Sequence, residues 1–301
     1  MTRRLKSLAV ILSVLLLTSC SYQNIILGLF AIYDDIHTSD SYVSIEASSA
    51  IPDISDPIAP YFAKMNCGSS KTLDGTCLFI NVFLSDSTSS FNTGEKARAI
   101  FLLGRAANYL TQQAKAYDKD LSTIYKERDL VFDYKTEDDI PTDLDNFMWG
   151  YPIIENLYEQ NDIENLIEKY DAENISFLFH VNKTGRSYAL ASRFEYDGLY
   201  DNEIAVIFSS DFTEDNEVSG TTEYVYAHEI LHLFGAIDLY YPFNPDDERI
   251  KLAEAYFPND IMLVYAYDIN SAFISNLDAY LIGWCDYLEK ENHIFIIDPY
   301  E

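Results

Sequence analysis

His228-Glu229-Ile230-Leu231-His232-Leu233-Phe234-Gly235-Ala236-Ile237-Asp238 is the stretch on which the reading of this 301-residue chain turns. On an α-helix, residues four apart share one face, so His228 and His232 project together and can hold a single Zn²⁺ at about 2.0–2.1 Å. Glu229 then stands beside the metal without ligating it. That position suits a base that takes a proton from a water at the metal and hands it to a leaving amine. The run from Thr221 to Phe234 carries Val225, Ile230, Leu231 and Phe234 at mixed helical spacings, as a largely buried helix does. The competing reading is a core helix with two incidental histidines, but it would bury Glu229 as an unpaired carboxylate, which is costly. An H-E-x-x-H string occurs by chance in about one 300-residue chain in a hundred, and the added glycine and aspartate cut that by a further factor of about a few hundred.

Gly235 follows the last helical turn, where a glycine supplies the left-handed backbone that ends a helix and turns the chain back. The return can carry Asp238 to the metal. With these residues the segment resembles the metzincin metallopeptidases, whose extended motif is H-E-x-x-H-x-x-G-x-x-H or -D. The Asp form is similar to the snapalysin-type and immune-inhibitor-type secreted bacterial proteases. The resemblance implies His228, His232 and Asp238 as zinc ligands, Glu229 as base and a methionine-bearing turn beneath the metal, for which Asn259-Asp260-Ile261-Met262 is the candidate.

Two departures from that pattern matter. Metzincins often place a tyrosine two residues after the turn methionine, whereas this chain has Val264 there and Tyr265 and Tyr267 beyond, so these two are the candidate oxyanion helpers. Asp238 also has a rival. It can brace a histidine from outside while Glu254, in the helix-like run Asp246 to Tyr256, supplies the third ligand as in thermolysin-like enzymes. Asp238 is favoured because Gly235 has a clear task only in the first geometry.

Arg3, Arg4 and Lys6 precede an apolar run, Leu8 to Leu17, long enough for a signal-peptide core and too short to span a bilayer of about 30 Å. The run ends in Leu17-Thr18-Ser19-Cys20, which looks like a bacterial lipobox. Residues 1–19 are therefore read as a lipoprotein signal peptide and Cys20 as the lipidated residue, anchoring the chain to the bacterial cell envelope on its periplasmic or exterior side. Plain secretion or an uncleaved anchor is the alternative. Cys67 and Cys77 flank a loop with Gly68 and Gly75 and suit a disulfide in an oxidising compartment, while Cys285 reads as a buried thiol.

The formal charge is −29, and removing Arg3, Arg4 and Lys6 leaves 17 basic against 49 acidic residues, −32. Such a chain repels nucleic acid and anionic headgroups. Its expected partners are a peptide or protein substrate and, through the Cys20 lipid, the membrane, and a monomer is expected. Asp246-Asp247-Glu248 offers carboxylates that suit Ca²⁺, although acids also favour the start of a solvated helix, the preferred reading. His37, His180 and His293 are isolated and read as structural or exposed.

Residues 20–66 hold an apolar patch, Ile25 to Ile32, and a Ser-, Asp- and Pro-bearing stretch, a tether or a pro-like segment. Residues 67–301 form the expected catalytic domain. Strands are predicted at Leu78–Leu84, Leu130–Tyr134, Ile175–Val181 and Ile204–Phe208, the last as a sheet edge that accepts substrate. Helices are predicted from the capping box Asn92 to Glu95, from Asn161 with Glu164 in capping position, over the histidine motif, and in the tail Ile274–Leu288. The fold expected is α+β, a zincin of the metzincin-like kind. It pairs a twisted, mostly parallel sheet and two long helices with a smaller helical C-terminal subdomain. The function expected is that of an exported, lipid-anchored zinc endopeptidase with one catalytic Zn²⁺. The competing class is a non-catalytic surface binding protein or adhesin on the same scaffold.

Overall fold

Alternation along the strand β1 (Gly75–Ser85) sets two cores: Cys77 and Phe79 face one side of a sheet, and Leu78, Ile80, Val82 and Leu84 face the other, all fully buried. The computed structural model describes residues 68–142, 147–192, 201–212, 218–240, 248–263 and 268–296. All of them belong to the unit Asp56–Glu301. Cys20 and the proposed signal and tether segments lie outside the described residues. Among the described residues, no helix is long and apolar enough to cross a membrane.

The sheet contains β1, β2 (Leu121–Ile124), β3 (Val131–Lys135), β4 (Asn174–Thr184), β5 (Tyr188–Leu190), β6 (Ile204–Phe212) and β7 (Val218–Gly220). Its order is β2-β1-β4-β6-β5, with β3 continuing the β2 side of β1 and β7 pairing the far half of β6. The pairings among β1, β2, β3, β4 and β6 are parallel; β5 and β7 run antiparallel to β6. The architecture is thus α+β with a mostly parallel mixed sheet. Central strands buried on both faces read as near-continuous apolar runs. Ile175 to Phe179 and Ile204 to Phe208 fit that description, and their buried residues divide between the two cores.

Helix α1 (Thr93–Lys115) covers the first face, where Leu103, Ala106 and Leu110 are buried. Its capping box forms as the sequence predicts: Asn92 Oδ1 accepts from Glu95 N at 3.0 Å and Glu95 Oε2 accepts from Asn92 N at 2.8 Å. Helix α2 (Tyr151–Gln160) and helix α3 (Ile163–Tyr170) supply the second core through Ile153, Ile154, Leu157, Ile163 and Leu166. The motif helix α4 (Glu223–Leu233) packs against α1, β5 and β6. Helices α5 (Glu248–Tyr256) and α6 (Asn276–Leu281) follow.

Several expectations are corrected. Helix α2 adds to the predicted helices; its Pro152 is tolerated in the first turn, where a missing N–H has no intrahelical partner. Asn161 ends that helix, and the cap of α3 is Asp162, whose side chain accepts from Asn165 N. In the tail, only Asn276–Leu281 is α-helical; Trp284 lies beyond it, buried, with Nε1 donating to Leu73 O at 2.5 Å. Strand β6 is no free edge: β5 pairs with Ile204–Val206 and β7 with Ser210–Phe212. Three-residue strands are too short to leave a period in sequence.

Cys77 carries a free thiol, and Cys67, its expected disulfide partner, lies outside the described residues. The inward phase of β1 turns Cys77 into the first core, where burial pushes its pKa up to about 12 despite contact from Asn174. Cys285 is partly buried and its pKa is raised, chiefly by burial, the opposite of an activated nucleophile. His180 is structural: its ring nitrogens meet Asn81 Oδ1 at 2.8 Å and Tyr226 OH at 3.0 Å, and burial lowers its pKa to about 3.

Candidate metal centre

Helix α4 is apolar around most of its circumference, as a helix held between a sheet and other helices must be. Tyr224, Tyr226, Ala227, Ile230, Leu231 and Leu233 are all buried, and His228 and Glu229 are 7% and 6% exposed. Its N-terminal end is tied to α1 by the ion pair between Arg105 Nε and Glu223 Oε1, 2.8 Å. The metal motif therefore sits on one of the most constrained elements of the fold.

The helix ends as Gly235 requires. With φ at +109°, Gly235 adopts a backbone that a residue with a Cβ rarely takes. Gly235 N donates to His232 O and Ala236 N to Leu231 O, both at 3.1 Å, the paired bonds of a Schellman turn. This turn does two further things. It aims the Ala236 carbonyl at His232 Nδ1, 2.8 Å away, and it brings the chain round so that Asp238 meets both histidines.

His228 Nε2, His232 Nε2 and Asp238 Oδ1 form a triangle whose sides are all 3.2 Å. Metal–ligand bonds of about 2.05 Å at tetrahedral angles place neighbouring donor atoms roughly 3.3 Å apart, so an ion about 0.9 Å off the plane of this triangle would meet all three at bonding distance. The tautomers also suit a metal. His228 Nδ1 faces Ile261 O at 3.0 Å and His232 Nδ1 faces Ala236 O. A carbonyl only accepts, so both protons sit on Nδ1 and both Nε2 lone pairs point inward.

Two inward lone pairs and a carboxylate need a positive charge among them, a proton or a metal ion. Without metal the proton falls to His232. Burial disfavours its charge, yet the Asp238 carboxylate outweighs burial and lifts its pKa to about 9. Asp238 is correspondingly held well below the usual carboxylate range, with the two imidazoles overcoming burial. Its Oδ1 approaches both rings without a well-aligned hydrogen bond to either, as a ligand atom aimed at a common centre does.

Glu229 stands next to this triangle. Its Oε2 is buried and has no hydrogen-bond partner, and burial raises its pKa while His228 and His232 pull the other way. Glu254, the rival ligand, is exposed on α5 and lies outside the ligand cluster found among the described residues. Met262 is fully buried under the site: its carbonyl accepts Leu239 N at 2.9 Å, and the carbonyl before it, that of Ile261, receives His228. Tyr265, Tyr267, Asp246 and Asp247 lie outside the described residues, as does the side chain of Glu248.

Sequence reasoning missed four contributors. Tyr224 stacks near His228, ring centroids 6.1 Å apart, and its hydroxyl also donates to Ile261 O. Tyr240 also has its centroid 6.1 Å from that of His228, and it hydrogen-bonds Arg186 from the β4–β5 turn. The carbonyls of Ile261 and Ala236 carry no side-chain signal at all. Tyr224, four residues before His228 on the same helical face, was the one legible candidate.

No protein-family model matches this chain, and no curated protein matches it as a relative.

Proposed function

We propose that this chain is an exported, lipid-anchored zinc endopeptidase on a metzincin-like zincin scaffold. The observation that carries the reading is the triangle of His228, His232 and Asp238, with its fixed tautomers and, beside it, the buried Glu229, whose Oε2 has no hydrogen-bond partner. Three protein donors leave a tetrahedral ion one open position, the arrangement of catalytic rather than structural zinc. Zinc bound there would act as a Lewis acid on a water and on the scissile carbonyl.

The remaining work belongs to the chain. Ile261 and Ala236 hold the two imidazoles in the ligating tautomer. Glu229 accepts a proton at its buried carboxylate and returns it to the departing amine, a task helped by burial, which raises its pKa. Strand β5, the last of the described sheet and packed beside α4, offers a backbone edge on which an extended peptide can add as a strand. Recognition through the backbone implies loose side-chain preference. Met262 serves as the turn methionine, and Cys20 as the point of attachment.

The test is hydrolysis of quenched fluorescent casein by the full-length protein in detergent. Cleavage that a chelator abolishes and zinc restores supports the reading; cleavage indifferent to chelator refutes it.

A further inference from the structure

Beneath the metal centre, the turn bearing Ile261 and Met262 is held by a buried carboxylate. Asp260 Oδ1 accepts Met262 N at 2.7 Å and Oδ2 accepts Ser275 N at 3.1 Å, and the residue is fully buried. Asp278, on α6, is also fully buried and is tied to the same cap: Ser275, whose N–H bonds Asp260 Oδ2, accepts Asp278 N at its Oγ. Neither oxygen of Asp278 has an N–H or hydroxyl donor.

Among the described residues, the titratable groups coupled to this pair are acids or phenols. They are Asp238 from the metal loop, Tyr109 from α1, Tyr117 just past its end, and Tyr224 from α4. Tyr117 OH is turned to Ile274 O and Tyr224 OH to Ile261 O, while Tyr109 OH is buried without a partner. Among the described residues no basic side chain forms an ion pair with Asp260 or Asp278. Two carboxylates cannot remain side by side in such surroundings; one of them keeps a proton.

We propose that Asp278 is a neutral acid donating its proton to Asp260, and that this shared proton positions the turn whose Ile261 carbonyl orients His228. Asp260 already accepts two backbone N–H groups, whereas Asp278, with no donors of its own, is the member that holds the proton. Burial, together with the charges of Asp260 and Asp238, drives the Asp278 acid well above the ordinary carboxylate range, in keeping with that assignment. The stabilisation is fully present below the unfolded carboxylate pKa of about 3.9 and is lost as pH rises through the higher folded value. Asp278 is thus a positioning residue. Its consequence for zinc rests on the reading of His228 as a ligand, whereas the proton itself does not.

The experiment compares the full-length protein with Asp278→Asn, which keeps an N–H donor toward Asp260 and has no proton to lose, and with Asp278→Ala. The wild-type-minus-Asn infrared difference spectrum should contain a protonated-carboxyl C=O band, a subtraction that removes other buried acids such as Glu203 and Glu229. The wild-type folding constant should fall by up to about tenfold per pH unit relative to Asp278→Asn across the window. Zinc affinity should drop by about 10- to 100-fold in Asp278→Ala and be rescued in Asp278→Asn. If the Asn variant does not fold, carboxyl ¹³C NMR of the wild type at neutral pH reads the proton directly. An ionised Asp278, equal pH slopes, or a stoichiometric cation other than zinc between the two carboxyls overturns the proposal. Failure of the protease reading would leave the carboxyl band untouched, so the two can be told apart.

Discussion

The Nε2 atoms of His228 and His232 stand 3.2 Å apart, each on a ring whose other nitrogen faces a backbone carbonyl. On the proposed reading this arrangement takes a divalent cation without rotating a side chain, so zinc should stabilise the folded state strongly. At a free zinc concentration one hundred times Kd the gain is about 2.7 kcal/mol. Thermal unfolding with and without zinc measures it, and His232→Ala should abolish the shift. An equal shift in the variant would place the ion elsewhere.

On the same reading, the charge state of His232 makes zinc binding pH-dependent. Its pKa of about 9 in the metal-free chain means that zinc must displace a proton at neutral pH. Apparent affinity should therefore rise with pH, by up to about tenfold per unit, and level off above pH 9. Calorimetry in buffers of different ionisation enthalpy should count about one proton released per zinc near pH 7.

Gly235 tests the link between helix end and ligand set. Gly235→Ala places a Cβ on a backbone with φ of +109°, which should cost about 1–2 kcal/mol of stability. Because the same turn aims Ala236 O and delivers Asp238, zinc affinity should fall too. Urea unfolding and zinc competition check the two effects separately; a destabilised variant with unchanged zinc affinity would uncouple them.

The residues of the candidate metal centre were largely legible, since H-E-x-x-H with Gly235 and Asp238 is a local pattern set by helical spacing and one glycine turn. So were the long elements, because β1, β4, β6, α1 and α4 carry enough residues for a period to show. Short pieces escaped. Strands β5 and β7 are three residues each, and β5 takes its place from pairing with β6 rather than from its own composition. The rest of the site was illegible for a different reason: backbone carbonyls orient both histidines, and the proximity of Asp260 and Asp278, eighteen positions apart, arises only from tertiary packing.

Glu203 provides a control outside the candidate metal centre. It is fully buried, accepts Ser70 N at 2.7 Å and Ser192 N at 2.9 Å, and burial nonetheless raises its pKa to about 8. A raised acid contributes stability below its unfolded pKa and loses it as pH climbs through the folded value. Stability should therefore decline between about pH 4.5 and 8, by at most about 1.4 kcal/mol per unit from this group. Glu203→Gln should flatten that part of the slope in urea titrations at pH 5, 6.5 and 8.

The most direct test of the central claim is a paired measurement on the wild type and Glu229→Gln: zinc content and casein hydrolysis in the same preparation. The account predicts one zinc per chain in both proteins and a rate lower by at least about a hundredfold in the variant, the scale of a lost general base. A Glu229→Gln protein that keeps its zinc and still hydrolyses at the wild-type rate would contradict it.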